Sequence, residues 1–446
     1  MKKNYKYILM FIYFFVVLKY IYIPFRMDTY NNYGFSYAIV NGEIPYKDFY
    51  LIVPLFGPFL YSILLIFNKS IIVFYLEQTI LLILFSKLLF KIFDNKAWII
   101  ITCLFCPFVF CFAYSLFPGY NFLILFELVL LLYLTKENKS DKVIGLVAGI
   151  SLLTKQNIGL FILLVTVLYP LFKNKKSSLT RFCFSMIPCM IFITYLLCTN
   201  TLYDFINLCV LGIKDFNNNL VIKPIYLVFL IISVIAILIK FIMSKDKNIS
   251  YYYLMSYLFV VYPLIDSYHV SLFILFLIIV YLYNTPFKIK KRGVVISNII
   301  IVLFGISWYI ASYNYFSKLN YYSYPNFYNE IMSYNDKKDY DYIIKFYKKH
   351  NNTIYICSPS KTMILSGITS SKIDHYFVLF RGNLGYNGEK NIIKKLDNTH
   401  DKYFVVQNTI ECSTDDCQFI EKVPMKIKSS YKKIKELNNF SIYYKE

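Results

Sequence analysis

Apolar stretches of membrane-span length recur along the first three quarters of the chain and then stop. They lie near residues 7–25, 51–67, 71–93, 97–113, 119–135, 143–153, 157–172, 181–199, 220–243, 251–264, 268–283 and 293–312, with short polar, lysine-rich connections between them. A helix of about 20 apolar residues matches the ~30 Å hydrocarbon layer of a bilayer, so the pattern predicts a multi-pass helical bundle. From about Lys318 the pattern changes. Short alternating segments at 353–357, 403–407 and 440–444 predict strands, and 336–349 and 388–397 predict helices between them. The expected fold is an all-α polytopic membrane domain over 1–317 followed by a small α/β domain over 318–446.

Not every apolar run is expected to cross. If all did, basic clusters would fall alternately on both sides, against the positive-inside tendency. The run 51–67 carries Pro54, Gly57 and Pro58 near its start, which makes it the weakest span. Taking it as a juxtamembrane or re-entrant segment gathers the Lys and Arg clusters at 2–6, 91–96, 136–142, 173–181, 240–247 and 288–292 on one side. The result is about eleven transmembrane helices, a cytoplasmic amino terminus, a first outer loop over 26–70 and an exoplasmic carboxyl-terminal domain. The first run has basic flanks and no small-residue cleavage site, which predicts a retained span.

Composition narrows the class further. Of 446 residues, 58% are hydrophobic and 16% charged, too apolar for an ordinary soluble fold. The net charge of +21 does not call for nucleic acid, because the cations sit between apolar runs, as expected of loops facing an anionic leaflet. Membrane lipid is the expected partner. Heavy use of Lys, Asn, Ile, Tyr and Phe points to an AT-rich bacterial genome, and so to the inner membrane. Most of the ten cysteines lie in or beside apolar segments, where Cys behaves as a small hydrophobe. Cys103 and Cys106 form a CxxC by spacing alone, with no second pair. Cys412 and Cys417 fall in the outer domain, an oxidising compartment, and are expected to form a disulfide.

On this topology several polar groups converge on the outer face. Asp28 and Asp48 stand in the first loop, beside spans that hold almost no other acid. The segments Leu153-Thr154-Lys155-Gln156-Asn157 and Asp266-Ser267-Tyr268-His269 occupy very short turns and cannot retreat far into water. Ionisable groups at that depth face a water-filled cavity or a partner. Taken singly, each has a plain structural explanation: Lys155 snorkels to the interface, Asp28 caps a helix, His269 holds a hydrogen bond. The functional interpretation gains because the motifs land on one side without having been placed there. A divalent cation could be assembled in space from Asp28, Asp48, Asp266 and His269, although no pair has close ligand spacing. The chain has no P-loop, GxSxG or HExxH, which removes support for ATP-driven transport and the common hydrolases.

Asp28 followed by an aromatic-rich helix, then Gly42-x-x-Pro45-Tyr46-x-Asp48-Phe49, Pro54-x-x-Gly57-Pro58 and Leu153-Thr154-Lys155-Gln156-Asn157, resembles the GT-C superfamily of membrane glycosyltransferases. Its relatives include protein O-mannosyltransferases and the aminoarabinose transferase of lipid A. The resemblance covers roughly 7–312 in layout. It implies an inverting transfer of a sugar from a polyprenyl-phosphate carrier to a hydroxyl of a glycan, lipid or protein acceptor on the exoplasmic face. Asp28 would be the base, Lys155 would steady the departing phosphate with Gln156 and Asn157 as donors, and Asp266 and His269 would position hydroxyls. Many relatives read Asp-Glu where this chain reads Asp28-Thr29, which leaves a second acid to Asp48 or Asp266. Two other classes compete. A transporter or flippase of a lipid-linked glycan would use Lys155 and Asp266 as intramembrane charges, but the pseudo-repeated halves of such proteins are not found. A non-catalytic assembly partner would not require Asp28.

Overall fold

Among the described residues helices form along most of the apolar runs, and capping side chains set several of their starts. The computed structural model describes residues 27–105, 119–171, 174–216, 221–222, 224–243, 248–262, 264–265, 267–285, 321–324, 327–331, 334–350, 354–357, 384–408 and 422–446, with Ile296, Ile299 and Leu303 besides. The longer helices of the bundle are α1 Met27–Val40, α2 Phe56–Ser62, α3 Ile71–Phe93, α4 Ala97–Phe105, α5 Tyr120–Lys136, α6 Asp141–Thr154, α7 Gln156–Leu171, α8 Lys175–Cys198, α9 Pro224–Met243, α10 Ile249–Tyr257 and α11 Ser267–Asn284. Side-chain oxygens of Ser70, Ser140, Asn174 and Asn248 accept from the first-turn amides of α3, α6, α8 and α10, satisfying donors that a helix start leaves open. Short turns follow α8, including the π-helix Ile206–Leu211.

Three helices among the described residues are long and apolar enough to cross a membrane: Ile71–Ile101, Lys175–Cys198 and Pro224–Met243. Four apolar helices are shorter, namely Gln156–Leu171, Leu202–Leu211, Ile249–Val261 and Tyr268–Asn284. The expected count of about eleven therefore exceeds what helix length alone supports. The run 51–67 becomes the seven-residue α2 and the turn Leu64–Ile66, too short to cross. Residues 7–25 and nearly all of 293–312 lie outside the described residues. In the most apolar windows of α8 and α9, only 11% and 12% of residues are buried. Ile187, Met190, Ile191 and Leu197 on α8, and Ile225, Phe229, Ile232 and Ile239 on α9, face outward. Nothing among the described residues covers these apolar side chains.

The helices run up and down, so their connections collect at two ends. At one end, Tyr33 donates to the Lys69 carbonyl, Gln156 reaches the Ile52 carbonyl, and β1 (Val221–Ile222) pairs in parallel with β2 (Leu264–Ile265). At the other, Lys136 caps the Ile92 carbonyl, Lys96 caps those of Leu282 and Thr285, and Arg181 pairs with Asp141 at 2.7 Å. Helix α6 crosses α8 on a small-residue stripe. A Cβ on Gly145 would stand 2.4 Å from the Arg181 carbonyl oxygen, and one on Gly149 2.3 Å from that of Ser185. This Gly-x-x-x-Gly approach is the kind that lets membrane helices pack backbone to backbone.

Beyond the bundle lie the hairpin β3 (Tyr321–Tyr324) and β4 (Phe327–Ile331), helices α12 Tyr334–His350, α13 Gly388–Asn398 and α14 Lys422–Ser430, and a four-stranded sheet. Its strands are β5 Ile354–Cys357, β6 Tyr403–Gln407, β7 Lys432–Glu436 and β8 Phe440–Tyr444, in the order β5-β6-β8-β7. Strands β5 and β6 are parallel, and the other pairs antiparallel. Phe404, Val406 and Tyr443 face α13 and α14. On the opposite face Val405, Phe440 and Ile442 join Tyr340, Ile343, Tyr33, Phe49 and Leu51 in one core. The carboxyl-terminal unit therefore shares its interior with the first loop.

Candidate functional site

Lys155 is the residue around which the first end of the bundle is organised. Helix α6 stops at Thr154, Lys155 turns extended with φ −152° and ψ 108°, and α7 begins at Gln156. The turn leaves no length for Lys155 to reach bulk water, and it is only 8% exposed. Its Nζ donates to Asn121 Oδ1 at 2.8 Å and lies 5.4 Å from the centroid of the Tyr120 ring. A desolvated cation over a ring face is held by about 2 kcal/mol.

The neighbours of this cation come from separate parts of the chain. Asn121 Nδ2 donates to the Tyr268 hydroxyl at 3.5 Å, and the His269 ring stands edge-on to Tyr268 with centroids 4.9 Å apart. Gly119, at φ +149°, lies against Asn32 of α1, where a Cβ would sit 3.3 Å from Nδ2. Asp28 is one helical turn before Asn32 on α1, about 6 Å along the axis and on the same side. Its side chain lies outside the described residues. Ser36 Oγ fixes α1 further along by donating to the Pro58 carbonyl at 3.0 Å.

The other expected site residues divide. Gln156 donates both amide hydrogens, to Ile52 at 3.0 Å and Cys209 at 3.1 Å, so it clamps the first loop to the π-helix. What it keeps is Oε1, buried without a partner, an acceptor suited to a hydroxyl and not to phosphate. Asn157 caps its own helix by accepting from Ile158 at 2.9 Å and reaches the Phe259 carbonyl at 3.4 Å. Asp48 accepts from the Ile44 amide at 2.7 Å and closes the turn there. Asp266, Cys106, Cys412 and Cys417 lie outside the described residues, as does the side chain of Cys103. Among the described residues no three His, Cys, Asp or Glu side chains converge as metal ligands.

A second polar group lies deeper. Glu77 on α3 is 7% exposed and Glu127 on α5 is 3% exposed; each is the one acid in an otherwise apolar run, 71–93 and 119–135. Thr154, next to Lys155, donates to Glu127 Oε1 at 2.6 Å. Their signal in the sequence was one acid inside each apolar run, which in a membrane segment marks function until shown otherwise.

In the first loop, burial, with Asp48 beside it, raises the Glu43 carboxyl from its ordinary 4.5 to about 8. Both Glu43 oxygens are buried without a partner, and Tyr347 of α12 feels its charge.

No protein family, curated protein or solved structure matches this chain.

Proposed function

We propose that the protein is an integral membrane glycosyltransferase. It takes a sugar from a polyprenyl-phosphate carrier and passes it to an acceptor hydroxyl at the end of the bundle where Lys155 lies. The observation that carries this is the buried ammonium of Lys155, 8% exposed and held by Asn121, at the same end as the helix bearing Asp28. The outward apolar faces of α8 and α9 support the membrane setting. The remaining spans, about eleven in all, and the exoplasmic side of the carboxyl-terminal unit belong to the same proposal.

In this mechanism the acceptor oxygen attacks the anomeric carbon as Asp28 takes its proton, and the bond to the carrier phosphate breaks on the opposite side. Lys155 balances the charge on the departing phosphate, help worth roughly 3–4 kcal/mol for a well-placed donor. Gln156 and Asn157 hold the turn that presents Lys155, and Asp266 and His269 orient hydroxyls in this reading. Asp28→Asn keeps the shape of the side chain and loses its basicity. Transfer from a polyprenyl-phosphate sugar is expected to fall by roughly 100-fold or more, with insertion and folding intact. Normal transfer by a folded Asp28→Asn protein would remove Asp28 as base. A transporter or flippase of a lipid-linked glycan is the second reading, favoured by Glu77 and Glu127, because acids within spans often line ion pathways.

A further inference from the structure

The geometry points to Glu127 as a positioning residue for Lys155 that works as a neutral carboxylic acid, donating its proton to Thr154 and fixing the Lys155 turn against α5. Two neighbouring residues of that turn are anchored on this one helix. Lys155 Nζ donates to Asn121 Oδ1 at 2.8 Å, and Thr154 Oγ1 meets Glu127 Oε1 at 2.6 Å, roughly two turns further along α5. Thr154 has no exposed surface and Glu127 almost none. Glu127 Oε2 is buried without a hydrogen-bond partner. Among the described residues no cation forms an ion pair with this carboxyl, Lys155 Nζ being engaged by Asn121.

The contact between Thr154 and Glu127 admits two polarities, and counting protons decides between them. A hydroxyl carries one proton, and Thr154 Oγ1 also stands 3.1 Å from the Ile150 carbonyl, the back-bond a threonine makes within its own helix. Ser151, the other hydroxyl beside the carboxyl, gives its proton to the Val147 carbonyl at 3.0 Å in the same way. With Glu127 ionised, Thr154 would have to abandon Ile150, and the buried charge would still lack a partner at Oε2. With Glu127 neutral, its Oε1–H donates to Thr154, Thr154 donates to Ile150, and no unpaired charge is buried. A neutral acid also holds the turn without a negative charge that would compete with the carrier phosphate for the Lys155 ammonium. The effect on transfer rests on the proposed contact between Lys155 and that phosphate; the protonation of Glu127 does not.

The test is infrared spectroscopy of the full-length protein in nanodiscs at neutral pH, where a protonated carboxyl shows a carbonyl stretch that a carboxylate lacks. Glu127→Gln should remove one such band, and Thr154→Val should shift the same band to higher frequency by taking away its partner. The position of Lys155 is read separately, with an amine-directed reagent and peptide mass spectrometry. Lys155 should react in Glu127→Leu while labelling elsewhere stays as in wild type, and Glu127→Gln, which still donates and accepts, should restore its protection. In a transfer assay Glu127→Leu should raise the carrier concentration for half-maximal rate roughly threefold to tenfold, with Glu127→Gln again the rescue. No band lost in Glu127→Gln would overturn the inference, making Glu127 a carboxylate and favouring the transporter reading; this arm stands even if Glu127→Leu fails to fold. Lys155 as protected in a folded Glu127→Leu protein as in wild type would overturn the positioning role. A wild type with the band and a protected Lys155, but no sugar transfer, would count against the glycosyltransferase alone and uphold the assignment of Glu127.

Discussion

At the scale of single residues, charge and burial make the sharpest statements. Lys155→Ala should weaken binding of the carrier and slow turnover together, because the phosphate is anionic before and after it leaves; an isotope-transfer assay with varied carrier concentration separates the two. A change in neither would exclude contact with the phosphate. Asp28→Asn should affect turnover alone. Glu43 offers a test outside the bundle. Its folded-state carboxyl titrates at about 8 instead of 4.5, so the folded protein holds a proton that the unfolded chain releases. Glu43 therefore weakens the fold progressively as pH rises from about 4.5 to about 8, and adds nothing further above that. Glu43→Gln should flatten thermal stability across this window and raise it at pH 8 by roughly 1 kcal/mol, allowing for partial solvent screening. An unchanged pH profile would show that the carboxyl finds a partner in solution. Lys155 was legible in the sequence, since a cation in a five-residue turn between apolar runs has nowhere to go. Its partner Asn121 was not, because 34 residues separate them and no local pattern announces the pairing.

At the scale of elements, the turn that presents Lys155 depends on how closely α6 lies on α8. Gly145 and Gly149 permit that approach, with backbone oxygens of Arg181 and Ser185 where side chains would otherwise stand. Gly149→Val should push the helices apart, destabilise the protein by about 1–3 kcal/mol, and lower transfer through a displaced Lys155. A thermal midpoint equal to wild type in nanodiscs would contradict the crossing. The Gly-x-x-x-Gly spacing stands in the sequence but names no partner helix, so the crossing with α8 was not legible there. Strands β5, β6 and β8 were also legible, because each is a short run of aromatic and β-branched residues. Strand β7 was not. Lys-Lys-Ile-Lys-Glu is polar throughout and every residue of it is exposed, so pairing with β8 alone makes it a strand, and its lysines protect the sheet edge. Glu77 and Glu127 escaped notice because their flanking residues are so apolar that hydropathy averages hid them.

At the scale of the whole molecule, the order of the connections is what unites site and fold. The first loop, the turn at Lys155, the turns after α8 and the carboxyl-terminal sheet meet at one end, and the basic caps of Lys96, Lys136 and Arg181 lie at the other. In cells, cysteines introduced at Asn68, Asn217 or Asn351 should react with an impermeant reagent from outside, whereas those at Asn138, Lys175 or Lys247 should react only after permeabilisation. External labelling at Lys175 would invert the assignment of sides. Hydropathy gave a mostly helical chain with a small sheet near its end, but not the core that joins Tyr33 and Phe49 to Phe440 across nearly the whole chain. The proposed function requires that this end receive a lipid-linked phosphate. A density map of the full-length protein in nanodiscs saturated with polyprenyl phosphate tests it most directly. The phosphate is expected at Lys155 Nζ, at the end of the bundle where α1 bears Asp28; a phosphate bound elsewhere, with Lys155 still closed on Asn121, would contradict the proposed role of this end.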